Sequence, residues 1–225
     1  MILLPLAVAP VFIFLFYIYI RDKYEKEPIR LLVIGTTFGA VIAFPIVFAG
    51  NYALLLLPID ATMLQDAAFN AFVVAAFIEE FFKYIVLFFL IWRNPNLNEP
   101  FDGIVYAVFI SLGFAFVENI LYVFSEDVGG LTTALVRAVI SVPGHGLFGV
   151  IMGYYFTCAF YAKAKNQRTM YLALALVAPV VMHGIYNFLL LTNVYKVVFL
   201  GFFALLWHIS LKKMKSHIEI SPFIS

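Results

Sequence analysis

Glu79 and Glu80 stand side by side inside an apolar run of residues 67–92, with Lys83 one helical turn further on. A run of that length crosses a bilayer as a helix, which takes roughly 20 apolar residues. Each charge at its centre costs on the order of 2.5–3.5 kcal/mol on insertion scales. Three such charges within five residues therefore need partners or a purpose. A structural Glu–Lys pair satisfies one carboxylate. The second points to chemistry, because two carboxylates whose proton affinities are pushed apart are what activation of water requires.

Other polar groups lie at matching depths in other apolar runs. Glu118 and Asn119 sit about 15 residues into residues 103–124, His145 about 14 residues into residues 131–161, and His183 and Asn187 are 13 and 17 residues into residues 170–191. At 1.5 Å per residue these groups fall between mid-membrane and one leaflet, so they can meet. Glu79/Lys83, Phe114/Glu118, His145/Gly149 and His183/Asn187 are i,i+4 pairs, and each pair shares a helix face. His183 can position or bind a water while Asn187 offers an amide N–H to a developing oxyanion. Gly149 and Gly153 leave room beside His145 for a neighbouring helix or for a substrate backbone. Each group has a plainer role when taken alone. The Glu–Lys pair can be a bundle ion pair, either histidine a hydrogen-bonded interior group, Asn119 or Asn187 a bridging amide, and Arg137 a snorkelling side chain near the outer interface. Convergence at one depth favours a site.

The elements that must position these groups follow from composition. The 225 residues are 64% hydrophobic and 12% charged, with 26 Phe and 13 Tyr. The class is an all-α, polytopic membrane helix bundle. The net charge of +1 gives no nucleic-acid signal, and the single cysteine, Cys158, rules out an intramolecular disulfide. Seven spans are expected, at about 2–20, 31–57, 67–92, 103–124, 131–161, 170–191 and 194–211, in one domain of residues 1–225. The opening MILLPLAVAPVFIFLFYIYIRDK lacks a basic n-region and a cleavage signature, so it reads as a retained first span. Pro45 and Pro143-Gly144 predict breaks in the second and fifth spans, the latter just before His145. Broken backbone at membrane depth belongs beside a wet cavity. The polar breaks on one side hold 11 Lys/Arg and those on the other only Lys196, which puts the N-terminus outside and the C-terminus in the cytoplasm.

The segments FIEEFFKY, FDGIVYAVFISLGFAFVENILY, PGHGLFGVIMG and VMHGIYNF resemble, in order and spacing, the PrsW family of bacterial intramembrane proteases, and the early RDKYEKEP segment does so too. That family is similar to the type II CAAX-prenyl and bacteriocin-processing proteases, whose motifs read Glu-Glu-x-x-x-Arg, Phe-x-x-x-His and His-x-x-x-Asn/Asp. Here the basic residue is Lys83, one position early, and the second motif ends in Glu118, which favours PrsW. The resemblance implies a multi-pass enzyme of the bacterial plasma membrane. It also implies that the substrate is a single-span, anti-sigma-factor-like membrane protein, cut at its extracytoplasmic side in regulated intramembrane proteolysis.

The expected catalytic set is Glu79, Glu80, Lys83, Glu118, His145, His183 and Asn187, supported by Asn119 and Gly149. The first expectation is metal-free hydrolysis, with one glutamate as base, Lys83 ordering the pair, and no cofactor firmly required. The alternative places zinc among Glu79, Glu80, His145 and His183. Two non-protease alternatives are a scaffold subunit of a membrane complex, which would lack a full catalytic set, and a proton-coupled transporter. The latter would show an inverted repeat, and the sequence has none.

Overall fold

The computed structural model describes residues 2–56, 61–192 and 196–224, and all of its regular elements are helical. They are α1 (Leu3–Arg21), α2 (Ile29–Val41), α3 (Ala43–Leu54), α4 (Met63–Phe69), a π-helix (Asn70–Phe77), α5 (Ile78–Ile91), α6 (Asp102–Val123), α7 (Leu131–Val139), α8 (Ser141–Tyr161), α9 (Lys165–Thr192) and α10 (Lys196–Ile218). Residue 57 of the expected second span and residues 194–195 of the expected seventh lie outside the described residues. Among the described residues, six helical stretches are long and apolar enough to cross a membrane: Leu3–Arg21, Ile29–Leu54, Asp102–Val123, Leu131–Tyr161, Lys165–Thr192 and Lys196–Ile218. The stretch expected as the third span is the continuous helical rod α4–π–α5, which is not among these six. It is set apart by Glu79, Glu80 and Lys83 in its middle.

Both proline breaks occur, and both fall three residues ahead of the proline. The second span bends at Ile42 and the fifth at Ile140, so Pro45 and Pro143 each become the third residue of a new helix. The first-turn N–H groups of a helix have no intrahelical acceptor, so proline loses nothing there, while its ring disfavours a continuous helix through the carbonyl four residues back, a cost that α1 and α9 accept at Pro10 and Pro179. His145 is consequently not at the break but five residues into regular helix. The rod α4–π–α5 starts at a capping box, in which Thr62 Oγ1 accepts the Gln65 N–H and Gln65 Oε1 accepts the Thr62 N–H. At its other end the chain departs again from expectation: α10 runs on through Lys212 to Ile218, where a polar tail was expected.

Helix α6 is the centre of the bundle, with every residue from Asp102 to Ala115 buried. Its neighbours approach to backbone contact. A Cβ on Gly153 of α8 would lie 2.2 Å from the Gly103 carbonyl oxygen, and one on Gly39 of α2 would lie 2.1 Å from the Ile110 carbonyl oxygen. Small residues at such crossings let helices gain packing where no hydrophobic force separates protein from lipid. The perimeter is the reverse, with Phe12, Ile13, Phe16, Phe44, Phe48 and Val197 exposed, as lipid-facing positions require.

At the Asp102 end of α6 the segments between helices carry buried acidic groups. Burial most of all pushes Asp22 up to about 7, and burial together with the Asp102 carboxylate pushes Glu27 up to about 10.

Gly153→Leu is expected to lose folded yield in detergent, since overpacking a tight contact costs about 1–3 kcal/mol or more. Gly201→Leu, at a position with nothing within 4 Å, should be neutral. Monodispersity and thermal unfolding of the two variants check this.

Candidate active site

The sequence brings Glu79, Glu80 and Lys83 to one end of α5 by helical spacing alone. Lys83 Nζ donates to Glu79 Oε2 at 3.2 Å and to Glu80 Oε1 at 2.8 Å, closing i,i+4 and i,i+3 pairs. The same ammonium lies 3.4 Å from His145 Nδ1 and 4.4 Å from the centroid of the Phe114 ring. Lys83 and Glu80 are fully buried. An ammonium without these partners would not be tolerated in the interior of a membrane bundle.

Helices α6, α8 and α9 supply the rest. His183 Nδ1 sits 3.0 Å from Glu80 Oε1, and its ring stacks on Phe148 at 4.5 Å. His145 Nε2 sits 2.9 Å from Glu118 Oε2. With Lys83 donating to Nδ1, the neutral His145 tautomer that satisfies both contacts carries its proton on Nε2 and gives it to Glu118. The two imidazole centroids are 5.4 Å apart.

A cavity of about 330 Å³ opens onto this network. Glu79, Glu118, His145, His183 and Asn187 line it, joined by Asn70, Val74 and Ala75 of the π-helix and by Tyr186. Glu80 and Lys83 do not line it but lie behind Glu79 and the histidines. The two carboxylates are thus inequivalent: one faces the cavity and the other is sealed. A larger groove of about 460 Å³ between α1 and α2 is lined by Phe, Leu, Ile, Val, Thr and Tyr and has no group suited to hydrolysis.

Three residues stand differently from expectation. Arg137, expected to snorkel at an interface, turns inward from α7. Its guanidinium pairs with Glu118 Oε2, donates through Nε to Asn119 Oδ1 at 2.7 Å, and lies 4.2 Å from the centroid of the Tyr122 ring. A carboxylate at the same depth is a stronger attraction than the headgroup region. Asn119 does not reach the cavity. It holds Arg137 and donates through Nδ2 to the Ala7 carbonyl at 2.6 Å, tying α6 to α1. Gly149 is likewise off the cavity. A Cβ there would lie 2.9 Å from Ser111 Oγ and 3.0 Å from Val108 Cα, so α6 fills the space that a substrate strand would have used.

The π-helix had no sequence signal. Its i→i+5 turns add a residue to the face ahead of Glu79, a distortion common at functional sites. Cys158 and His217 lie elsewhere, His217 against Thr157 Oγ1 at 3.0 Å.

The donor set is suited to a cation. One donor atom each from Glu79, Glu80, His145 and His183 lies within 4.8 Å of the others. Glu80 Oε2 is buried without a hydrogen-bond partner among the described residues. The glutamates 79, 80 and 118 outnumber Lys83 and Arg137, leaving room for further positive charge.

Comparison with known proteins places this chain in a family. A family model described as PrsW family intramembrane metalloprotease matches residues 27–210. Protease PrsW of Geobacillus kaustophilus is 40% identical over 214 residues, covering 95% of this chain and 91% of that protein. The Bacillus subtilis protein of the same name is 36% identical over 211 residues, 92% of each chain. That of Clostridioides difficile is 32% identical over 220 residues, 96% of this chain and 91% of that protein. No solved structure matches. A helical bundle with spans for several membrane crossings, a buried carboxylate and imidazole cavity, and similarity along nearly the whole chain lead to one conclusion: the chain belongs to the PrsW family of intramembrane proteases and is a multi-pass bacterial membrane peptidase.

Proposed function

We propose that residues 1–225 act as one protease domain that hydrolyses a peptide bond of a single-span, anti-sigma-factor-like membrane protein at its extracytoplasmic side. The observation that carries the chemistry is the inequivalence of the carboxylate pair. Glu79 meets the cavity, where water and a scissile bond can reach it, and in metal-free hydrolysis it is the general base, whereas with a metal held it would be a ligand. Glu80 meets only Lys83 and His183, so its part is to hold both in place. Lys83 keeps the two carboxylates from repelling each other and orients His145. Asn187 and Arg137 offer N–H groups on the cavity wall to the oxyanion, the former free of other side-chain partners among the described residues, the latter shared with Glu118.

The family description as a metalloprotease now ranks a metal ahead of the metal-free hydrolysis favoured by the sequence. The two carboxylates, the two imidazoles and the unpartnered Glu80 oxygen suit zinc. Held by Glu79, Glu80, His145 and His183, zinc would supply Lewis acidity to the water and to the attacked carbonyl. The roles of Lys83 in charge balance and of Glu118 in orienting His145 are the same with or without it.

The topology proposed is seven crossings, N-terminus outside. The rod α4–π–α5 is the third, its 29 residues spanning about 43 Å at 1.5 Å per residue. The Lys/Arg asymmetry sets the orientation.

Glu79→Gln is expected to lower cleavage of a single-span substrate by at least about 100-fold, the range of a lost general base, with membrane yield retained. Cleavage near the parent rate would sink the assignment of Glu79. Activity of the purified enzyme should fall on dialysis against a strong chelator and return with zinc, with about one equivalent bound per chain. Full activity in a metal-depleted sample would restore the metal-free mechanism. In a Cys158→Ala background, a cysteine at Val128 should react with an impermeant thiol reagent in intact cells and one at Asn166 should not. The opposite labelling would invert the orientation.

A further inference from the structure

The RDKYEKEP segment joining α1 to α2 takes no part in the cavity. Its Asp22 and Glu27 turn inward to 0% and 3% exposure, beside Glu99 in the loop after α5 and Asp102 at the start of α6, at 1% and 0%. One oxygen each of Asp22, Glu99 and Asp102 lies within 4.8 Å of the others. Asp102 and Glu118 are 16 residues apart on α6, about 24 Å at 1.5 Å per residue, so the cluster is separate from the proteolytic cavity.

Each carboxylate is held by one oxygen. Asp102 Oδ2 accepts the N–H groups of Asn98 at 2.8 Å and Glu99 at 2.7 Å. Asp22 Oδ2 accepts the Glu27 N–H at 3.1 Å, Glu99 Oε2 accepts the Ser221 hydroxyl, and Glu27 Oε2 accepts the Tyr106 hydroxyl. Two of the opposite oxygens have no fixed donor: Asp22 Oδ1 and Asp102 Oδ1 are buried without one among the described residues, as is Asn98 Oδ1, and Asp22 and Asp102 are met by the carboxyls of Glu99 and Glu27 respectively. Only one unpartnered donor, Arg21 Nε, is nearby in sequence. Among the described residues no Lys or Arg pairs with Asp22, Glu27, Glu99 or Asp102. Lys26, in the same segment, spends its ammonium on the backbone carbonyls of Tyr19, Ile20 and Asp22.

We propose that Asp22, Glu99 and Asp102 bind one hard divalent cation, of the calcium or magnesium kind, that ties the α1–α2 segment, the α5–α6 loop and the C-terminal tail together. All-oxygen donors select such ions, and a donor separation of up to 4.8 Å is about two calcium–oxygen bonds of roughly 2.4 Å. The hydrogen bonds to Asp22, Glu99 and Asp102 are the support that ligating carboxylates carry. Ser221, reaching Glu99 from beyond α10, brings the tail under the same control.

The test is terbium luminescence excited through tyrosine, Tyr106 being in place at Glu27, on the full chain in detergent. The Glu79→Gln/His183→Ala variant removes ligands of the cavity group only. It should show one saturable terbium site, displaced by calcium or magnesium, and a rise in unfolding temperature with millimolar calcium or magnesium of about 2–4 °C or more. Asp22→Asn and Asp102→Asn in that background should each weaken terbium at least about tenfold and lose the thermal response. Should either fail to fold, the parent variant still decides, because its cluster is intact. No saturable site in it, an affinity unchanged by Asp22→Asn, or a stabilisation by acid with no response to divalent ions would each overturn the proposal, the last leaving shared protons as the occupant.

Discussion

A single ammonium group sealed inside the bundle organises the polar interior of this molecule. Lys83 Nζ is the common partner of Glu79, Glu80 and His145, and each of those groups would be costly in its position without it. The polar chain continues outward in two directions. One runs through Glu80 to His183 and the face of Phe148, and the other through His145 to Glu118, Arg137, Asn119 and the carbonyl of Ala7. Helices α1, α5, α6, α7, α8 and α9 are thereby joined by polar contacts in which nearly every donor has an acceptor. In a low-dielectric interior such a chain has few alternative arrangements, which is how a reactive pair of carboxylates can be held still.

The same interior treats the two glutamates unequally. They are adjacent in sequence and within reach of one lysine, yet a rotation of about 100° per residue along α5 turns one to the cavity and the other into packed helix. Phe114 and Phe148, the residues that cover the lysine and His183, belong to the motifs that carry Glu118 and His145. The covering and the covered groups therefore arrive on the same helices.

Much of the site was legible in the sequence because hydrocarbon makes every charge inside an apolar run conspicuous, and helical spacing then assigns each to a face. Glu79, Glu80, Glu118, His145 and His183 needed nothing more. Arg137 was legible only in company: weighed alone it snorkels, but three glutamates against Lys83 at one depth already asked for another cation. The breaks at Ile42 and Ile140 were displaced because proline marks the helix it can enter rather than the one it ends. The π-helix left no trace, since an extra residue in NAFVVAAF disturbs no polar pattern. Gly149 carried a real signal, small size, that does not say which neighbour uses the space. Asp22, Glu27, Glu99 and Asp102 lie in polar segments where acidic side chains read as solvated, and only the fold reveals their burial.

The glycine crossings divide the bundle mechanically. Where α2 and α8 meet α6 backbone on backbone, there is no layer of side chains to deform, and sliding by a fraction of an ångström meets a carbonyl at once. These three helices form a stiff keel. The cavity is lined on its other sides by Asn70, Val74 and Ala75 of the π-helix, by Arg137 of α7 and by Asn187, Leu190 and Leu191 of α9. A substrate helix must unwind to present its carbonyl, and no room for that can come from the keel that carries His145 and Glu118, because its backbones already touch.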